Sequence, residues 1–311
     1  MQTATSAPPI ERELHIDATP ETVYGFFTDR DKLLRWMGRK AEVDARPGGA
    51  LRIDYNGFDI MRGQYRELVP YSRIVLGWGW ETLGDAPAPG ESTIEVTLTP
   101  ERGGTRLRLV HSGLSETQRG AHLDGWDSLL PILSAQATGA PAPAAPTPAL
   151  SQAEELASRL NTALVRLRYT IEGSSPQAWQ AKTAEGWTVA ATADHAVFHT
   201  GVVGLARAVA DGQHPSQADI TLDQLSHRND ERAAEQAAAP REAVLGTLLT
   251  EGPKAVEAVK AFSDADLARS ITLAAAGGAP VSVAGILAGP LVGNIEEHTA
   301  SIEAAVAGSR S

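Results

Sequence analysis

The sequence predicts two domains of different fold class, an α+β domain over residues 1–137 and an all-α helical bundle over residues 151–311. In the first half several segments alternate apolar and polar residues with a period of two, whereas the second half has a helical period throughout. Residues 138–150 separate the two patterns with an uncharged run rich in proline and alanine. Because proline fixes φ and donates no backbone hydrogen bond, this run is typical of an extended linker.

The composition narrows the classes of function. Lys and Arg total 27 against 38 Asp and Glu, for a net charge of −11, so the sequence lacks the basic excess on which nucleic-acid binding rests. There are no cysteines, which excludes disulfides and thiolate metal sites. No window approaches about 18 uninterrupted apolar residues, and the N-terminus has no basic start followed by an apolar run. These observations predict a cytoplasmic protein that binds neither nucleic acid nor a membrane.

The first half begins with a strand and a short helix. Residues 10–16 alternate apolar and polar side chains, as a half-buried strand does. In the helix that follows, Thr19 is the expected N-cap and Pro20 suits the first helical position. Five further strands are predicted at 51–55, 63–68, 73–80, 92–99 and 105–111. An amphipathic helix over 115–136 ends this half, which predicts a curved antiparallel sheet packed on a long helix.

Alternation along these strands puts several aromatic side chains on the same faces as the apolar core residues. The final helix adds two more on the face that would cover the sheet. Together they predict an aromatic pocket with a few polar groups. Its members are Tyr55, Trp78, Trp80, His111, His122 and Trp126. Aromatic side chains at this spacing also form ordinary core, and the sequence leaves that alternative open.

A family resemblance supports this interpretation of the first half. The string A-T-P-E-T-V-Y-G-F-F-T-D at 18–29, Trp36, a Gly-Gly turn before a strand and the pair Gly125-Trp126 resemble the START-like (SRPBCC) helix-grip superfamily. Within it, the sequence is most similar to homologues of the activator of heat-shock-protein ATPase, over about residues 10–137. The resemblance implies a cavity between the sheet and the final helix that can hold an apolar small molecule. Chaperone regulation does not follow from the fold alone.

Helices are expected throughout the second half. The one after the linker opens with a capping box formed by Ser151 and Glu154. Four more are predicted at 188–211, from Thr221 to before Pro240, at 241–262 and after Ser282. Gly252-Pro253 is expected to interrupt the fourth helix and Pro290 to kink the last one, and residues 273–282 are expected to be an irregular connection. Such helices bury their apolar faces against one another in a bundle.

Two pairs of polar side chains in this half have the spacing of metal ligands. His195 and His199 lie one turn apart in the second predicted helix, and Asn294 and His298 lie one turn apart in the last. Residues four apart share a helical face and are separated by about 6 Å along the axis. Two such pairs on packed helices could therefore converge on one ion. A satisfied core histidine is the alternative for each of them.

The second half also resembles a family. Gly-Trp-Thr at 186–188, a histidine eight residues after the tryptophan and a last helix with histidine at 298 look like the DinB-like and mycothiol-dependent maleylpyruvate isomerase superfamily. The resemblance implies a divalent ion, zinc or nickel, held by His195, Asn294 and His298. Members of that superfamily typically have a histidine or glutamate where this sequence has Asn294, and an amide oxygen is a poorer ligand for these metals. His199 could supply a missing nitrogen.

Three functions therefore stay open. The first is a two-module protein that binds an apolar small molecule in the START-like cavity, with a divalent-metal site in the bundle. The second is a metal-dependent transferase, isomerase or hydrolase that uses the bundle site with a thiol cosubstrate. The third is a co-chaperone-like interaction protein. The departure at Asn294 favours the first, and a homodimer is compatible with each.

Overall fold

The structure is a computed structural model that describes residues 7–84, 86–140 and 149–309. The chain divides into two compact units, Met1–Ala149 and Leu150–Ser311. Most of the predicted linker lies outside the described residues. Its first residue, Thr138, is the last residue of a helix, because Gly139 adopts φ 72° and caps that helix by donating its N–H to Ala135 O.

The N-terminal unit is an antiparallel sheet with three helices. Its elements are β1 Ile10–Ile16, α1 Pro20–Thr28, α2 Arg30–Leu33, β2 Lys40–Val43, β3 Ala50–Asp54, β4 Ile60–Val69, β5 Arg73–Trp78, β6 Trp80–Glu81, β7 Ser92–Glu101, β8 Gly104–Ser112 and α3 Glu116–Thr138. The strand order is β1-β8-β7-β5-β4-β3-β2, and β6 pairs with β4. Every neighbouring pair is antiparallel. The predicted α+β class is confirmed for this unit.

The two end helices form as their sequences predict. Thr19 accepts a hydrogen bond from Thr22 N and Pro20 opens α1. At the start of α3, Ser115 and Gln118 form a capping box. The buried side chains of α3 pack in the same core as the inward side chains of the strands, and these are Trp126, Leu130 and Leu133.

Gly79 interrupts the strand that the sequence predicts over residues 73–80. A Cβ on Gly79 would lie 1.9 Å from Ala88 O, so the segment after β6 approaches this backbone more closely than any side chain permits. Trp80 N donates to Pro87 O at 2.8 Å and Arg62 N to Gly79 O at 3.0 Å. The predicted strand is therefore two strands, β5 and β6, joined at a glycine.

The C-terminal unit is mainly helical. Its elements are α4 Gln152–Glu172, α5 Pro176–Trp179, α6 Val189–Phe198, a 3₁₀ turn at His199–Gly201, α7 Val202–Ala210, a 3₁₀ turn at Ser216–Asp219, α8 Leu222–Glu235, α9 Arg241–Lys260, α10 Asp264–Ala268, β9 Ser270–Thr272, a 3₁₀ turn at Ala274–Ala276, β10 Pro280–Ser282, α11 Val283–Ile286, a π-helix at Leu287–Gly293 and α12 Asn294–Gly308. Capping boxes open α4 and α8 at the predicted residues. The helical class is confirmed.

Three local predictions for this unit are wrong. The helix α9 continues through Pro253, because Gly252, Val256 and Val259 bury one face and hold the helix despite the missing N–H. The predicted connection 273–282 is wrong only at residues 280–282, which form β10 and pair antiparallel with β9. The predicted helix 188–211 is broken by the 3₁₀ turn that begins at His199. The expected irregularity at Pro290 is present as the π-helix.

No helix in the described ranges combines the length and the apolar character needed to cross a membrane.

Candidate functional site

A cavity of about 580 Å³ opens in the N-terminal unit between the β3–β4 turn, the β5–β6 segment and α3. Its lining includes Trp36, Gly38, Tyr55, Asn56, Phe58, Asp59, Ile60, Trp78, Trp80, Glu81, Thr82, Ala86, Ala121, His122, Gly125, Trp126, Ser128, Leu129 and Ile132. Cavities that hold drug-sized ligands have this size and this predominance of apolar and aromatic walls. Five of the six residues predicted for the pocket are among them.

The aromatic rings of the wall pack against one another. Trp78 lies at the centre, with ring centroids 5.6 Å from Trp126 and 6.2 Å from Trp80. Tyr55 contacts Trp80 from the other side, with centroids 5.4 Å apart. Burial raises the pKa of the Tyr55 phenol, so this side chain is neutral. The wall is a connected layer of rings that presents apolar surface to the cavity.

His111 lies behind this wall rather than on it. The side chain has no solvent exposure and is absent from the cavity lining. Trp126 Nε1 donates to His111 Nδ1 at 3.1 Å, and His111 Nε2 lies 2.9 Å from Ser92 Oγ, which in turn donates to Trp78 O at 2.9 Å. Because an indole nitrogen can only donate, His111 carries its proton on Nε2. The predicted contact between His111 and a ligand is thus replaced by a supporting role.

The two ring nitrogens of His122 have the opposite roles from those of His111. Its Nδ1 donates to Gln118 O at 2.8 Å and its Nε2 accepts from Trp80 Nε1 at 2.9 Å. Desolvation lowers the pKa of His111 to about 3, with a further contribution from His122. Burial also lowers the pKa of His122, and the hydrogen bond to Gln118 O opposes that effect. Both histidines are therefore neutral and act as fixed hydrogen-bonding parts of the wall.

One polar atom of the wall has no partner. Trp78 is 3% exposed and its Nε1 is buried without a hydrogen bond in the part of the chain that the structure describes. The two carboxylates of the lining have partners. Glu81 forms salt bridges with Arg62 at 2.7 Å and Arg52 at 3.1 Å. Asp59 accepts from Asn56 Nδ2 at 2.7 Å. Sequence reasoning found Trp78 as a wall residue but gave no signal that its N–H would be unpaired.

The C-terminal unit brings a second group of side chains together. The ring centroid of His195 lies 4.5 Å from that of His199 and 5.0 Å from that of His298. Trp187 packs on both His195 and His298, with centroids 5.1 Å and 5.9 Å away. The predicted convergence of the second and last helices is therefore observed at the level of side-chain position.

The hydrogen bonds of this cluster leave two acceptors unpaired. His199 Nδ1 donates to Pro290 O at 2.8 Å, so its Nε2 accepts from His195 Nε2 at 3.0 Å. That arrangement makes His195 Nδ1 an acceptor, and it is buried without a partner. Asn294 Oδ1 is a second buried acceptor without a partner. Desolvation, followed by the charges of His199 and His298, lowers the pKa of His195 to about 3.

His298 is oriented by a carboxylate that sequence reasoning did not find. Its Nδ1 donates to Glu185 Oε1 at 2.9 Å, and Ser301 Oγ donates to the other oxygen of Glu185 at 2.7 Å. These hydrogen bonds lower the pKa of Glu185 against the opposing effect of burial. Neither Glu185 nor Ser301 is predicted from the sequence, although Glu185 directly precedes the Gly-Trp-Thr motif at 186–188.

A carboxylate behind a histidine is the usual support of a metal ligand, and it leaves His298 Nε2 available. Among the described residues, however, no group of three or more His, Cys, Asp or Glu side chains is arranged to hold a metal ion. The donors that could converge on an ion are thus the two predicted histidines and the amide oxygen of Asn294. Unpaired buried acceptors fit a cation, and the neutral oxygen makes the set a weak one.

The antiparallel sheet packed on a long final helix, with a cavity between them, defines the helix-grip class of protein. The model of the family "Activator of Hsp90 ATPase homolog 1-like protein" matches residues 17–137. Over these residues the N-terminal domain is similar to this family. The resemblance stated from the sequence is therefore confirmed for the first half, and the DinB-like resemblance of the second half stays a prediction.

The solved structures that are similar to this chain cover less than half of it. The AHSA1-like protein of Rhizobium etli is 36% identical over 49% of this chain and 95% of that one, with a TM-score of 0.38. Protein CV1439 of Chromobacterium violaceum is 31% identical over 42% of this chain and 96% of that one, with a TM-score of 0.37. The Aha1 dimer of Colwellia psychrerythraea is 22% identical over 42% of this chain and 97% of that one, with a TM-score of 0.38. The curated proteins give no match.

Proposed function

We propose that the chain is a small-molecule-binding protein whose N-terminal cavity holds a largely apolar ligand. The observation that carries this proposal is the cavity of about 580 Å³ with a continuous wall of aromatic rings. A cavity of this size is far larger than a packing defect, because protein interiors contain few voids larger than a water molecule. Hydrogen bonds of His111 and His122 fix two of the wall tryptophans, Trp126 and Trp80.

Gly125 offers a way to fill the cavity without disturbing its wall. It lines the cavity from α3, and a Cβ at this position would meet nothing within 4 Å. We expect Gly125→Leu to place a side chain in the cavity and abolish binding. Gly120→Leu is the matched control, because Gly120 lies in the same helix, has the same open surroundings, is exposed and does not line the cavity. Both variants gain the same helix propensity.

Binding can be followed by quenching of tryptophan fluorescence and by thermal shift against a panel of neutral aromatic and polycyclic compounds. We expect members of the panel to bind the wild type and Gly120→Leu and to lose at least tenfold in affinity for Gly125→Leu. Equal binding to all three proteins would contradict the proposal, and so would a panel in which no member quenches the tryptophans or raises the melting temperature.

A second candidate function is a divalent-metal site in the bundle. It is favoured by the two unpaired buried acceptors, Asn294 Oδ1 and His195 Nδ1, and by the Glu185 carboxylate behind His298. His195, Asn294 and His298 would hold the ion. When bound, zinc or nickel supplies Lewis acidity for a thiolate cosubstrate or for water, which is the chemistry of a metal-dependent transferase, isomerase or hydrolase.

Metal analysis of the purified protein tests this candidate. We expect zinc or nickel to bind the wild type with a stoichiometry of one by calorimetry and to fail to bind His195→Ala and His298→Ala. His214→Ala is the control, since His214 is exposed and pairs with Asp219, away from the predicted ligands. Absence of uptake by the wild type, or uptake that survives both ligand substitutions, would rule the site out.

The description of the matching family names a third candidate, activation of the Hsp90 ATPase. For this chain it rests on the family match over residues 17–137 alone. The hydrolysis rate of a purified Hsp90 with and without the full chain tests it, and an unchanged rate together with a negative pull-down would dismiss it.

A cytoplasmic location and a homodimer complete the proposal. The Colwellia relative is described as a dimer. Cell fractionation and light scattering of the purified chain are the corresponding measurements.

A further inference from the structure

The aromatic residues that line the cavity differ in how much of their surface is accessible. Three tryptophans are closed off, each 4% exposed or less, and these are Trp36, Trp78 and Trp126. Three other aromatic side chains line the cavity and are only half-buried, and these are Tyr55, Phe58 and Trp80. The face of an aromatic ring carries partial negative charge and attracts a cation within about 6 Å of the ring centroid. The accessible rings therefore favour a cation over an anion at the cavity.

The charged residues of the lining favour a cation as well. The described lining residues include Asp59 and Glu81 but no Lys or Arg. Glu81 is neutralised by salt bridges with Arg52 and Arg62, which lie outside the lining. Asp59 is exposed, and its hydrogen-bond partner is the uncharged amide of Asn56. Because a carboxylate has about four acceptor sites, Asp59 retains the capacity to pair with a cation.

The turn between β3 and β4 fixes the position of Asp59. Asn56 Oδ1 accepts from Phe58 N at 2.9 Å and from Asp59 N at 2.7 Å. Tyr55 N donates to Asp59 O at 3.0 Å, and Gly57 permits the turn with a φ of 89°. Burial, and after it the charge of Asp59, raises the pKa of Tyr55, because the carboxylate lies near the phenol. A carboxylate and an accessible ring are thus neighbours at one side of the cavity.

Other head groups fit these surroundings less well. An anionic group would lose hydration without gaining a cationic partner in the described lining, which is strongly unfavourable in an apolar cavity. An uncharged group gains nothing from the charge of Asp59. A cation beside Asp59 keeps part of its hydration, because Asp59 is exposed to solvent.

We infer that the cavity selects a largely apolar molecule with a cationic head group, an amphipathic amine or quaternary ammonium, whose charge lies beside Asp59 and the half-buried rings. The apolar body of the molecule fills the space between the sheet and α3. This inference rests on the proposed function and adds the chemical class of the ligand to it.

Three naphthalene probes with head groups of nearly equal shape separate the classes: trimethyl(2-naphthyl)ammonium, 2-tert-butylnaphthalene and naphthalene-2-sulfonate. Their affinities for the full chain are measured by equilibrium dialysis at pH 7. We expect the ammonium to bind the wild type about fivefold more tightly than the uncharged probe, although the uncharged probe is the more hydrophobic of the two. The sulfonate is expected to bind about tenfold more weakly than the ammonium, or weaker still.

Substitution of Asp59 by Asn removes the charge and keeps an acceptor for Asn56. In Asp59→Asn we expect the preference for the ammonium over the uncharged probe to fall about threefold or more, while the uncharged probe keeps its affinity. Asp124→Asn is the matched control, because Asp124 is exposed on α3 and lies outside the lining. It makes the same change in net charge and should keep the wild-type preference. Thermal unfolding of each variant verifies the fold.

The outcomes distinguish the inference from the proposed function. If none of the three probes binds the wild type and the wider panel of uncharged compounds also fails to bind, the proposed function is wrong. If the uncharged probe or the sulfonate binds as tightly as the ammonium, the cavity binds ligands but does not select a cation. An ammonium that binds Gly125→Leu as tightly as the wild type lies outside the cavity, which would also overturn the inference.

A measurement on the wild type alone covers the case in which Asp59→Asn does not fold. The ratio of the ammonium affinity to that of the uncharged probe is followed from about 0.02 M to about 0.5 M salt. Because salt screens the attraction between exposed charges, this ratio should decrease, whereas the hydrophobic contribution changes alike for both probes. A ratio that does not depend on salt would show that the charge of Asp59 has no part in binding and would contradict the inference.

Discussion

The two domains each bury a cluster of aromatic and histidine side chains. The clusters differ in whether the buried atoms without a hydrogen bond are donors or acceptors. In the N-terminal wall both histidines are fully hydrogen-bonded, and among the described residues that line the cavity the unpaired buried atom is a donor, Trp78 Nε1. In the bundle the unpaired atoms are acceptors, His195 Nδ1 and Asn294 Oδ1. The unpaired acceptors of the bundle fit a cation or a proton, whereas the Trp78 N–H is closed off from solvent by its own neighbours.

The polar side chains of the two clusters also differ in what they contribute to the fold. In the first domain the histidines hold aromatic rings in place, so their loss should act through stability and the shape of the wall. In the second domain the two unpaired acceptors make no hydrogen bond within the described fold, so the fold does not depend on them. Substitutions at paired and at unpaired atoms therefore test whether the two clusters differ in this way.

The largest change in the free energy of unfolding is expected at Gly79, the glycine between β5 and β6. In Gly79→Ala the new Cβ would lie 1.9 Å from Ala88 O, a backbone atom, so the wall must shift at a cost of about 3 kcal/mol. In Gly77→Ala the nearest atoms lie 3.0 Å away in the side chain of Arg66, which can shift more easily than backbone although its guanidinium donates to Thr93 and Gly90. We expect that variant to stay within about 0.5 kcal/mol of the wild type.

Chemical denaturation measures both variants, and hydrogen exchange in peptides of β7 and β8 reports on this domain alone. Similar losses in the two variants would mean that the backbone of the segment at Ala88 yields, and that the wall is less rigid than the comparison requires.

The neutral histidine behind the wall predicts a dependence on pH. The pKa of His111 is lowered from 6.5 to about 3 in the folded domain, so below pH 6.5 the unfolded chain binds a proton that the folded chain does not. Stability is thus complete above pH 6.5 and falls as the pH decreases toward 3. The slope contributed by one such group reaches about 1.4 kcal/mol per pH unit.

His111→Gln removes the titrating group and keeps an acceptor for Trp126 and a donor for Ser92. We expect its stability to fall less steeply between pH 6.5 and 4.5 than that of the wild type, as measured by urea unfolding at a series of pH values. Parallel curves would show that other groups carry the dependence.

Much of the fold follows from the sequence, for identifiable reasons. The capping boxes at Ser151 and Thr221 form as predicted, because capping is decided by residues only three apart. The inward faces of the strands also follow, since alternation fixes the side of a sheet. Alternation does not give depth, however, and it could not separate His111, behind the wall, from Tyr55, on it.

The other misses share a cause in tertiary structure. The strand β2, Lys40–Val43, and the hairpin β9–β10 are too short to show a period. Pro253 is tolerated because packing of α9 outweighs a local preference. Glu185 reaches His298 across 113 positions, and only the fold brings these side chains together. The unpaired state of Trp78 Nε1 and Asn294 Oδ1 depends on every neighbour at once.

A smaller effect is expected from Ser92→Ala, which removes a paired group from the first cluster. The substitution leaves His111 Nε2–H buried without its acceptor and costs about 2 kcal/mol. Hydrogen exchange in β7 and β8 measures it. A loss below about 0.5 kcal/mol would mean that the hydrogen-bonded chain behind the wall contributes little to the fold.

The smallest effect, and the one of opposite sign, is expected at Asn294. With chelator present, Asn294→Leu replaces an unpaired buried carbonyl oxygen by a side chain of similar size that needs no partner, so we expect it to stabilise the domain by about 1 kcal/mol. Thr299→Val in the same helix is the matched control. Its hydroxyl donates to Ile295 O at 2.6 Å, and its removal should destabilise the domain by about 1 kcal/mol.

The dependence of stability on added zinc is a further test of the difference between the two clusters. The wild type and Thr299→Val should gain stability with the free zinc concentration, because an ion that binds only the folded chain stabilises it by mass action. Asn294→Leu should gain less, since it lacks one of the three donors. Unfolding of the bundle, followed by hydrogen exchange in α12, measures each case. If Asn294→Leu destabilises the metal-free domain as much as Thr299→Val does, Asn294 Oδ1 is paired in solution, and the two clusters do not differ as proposed.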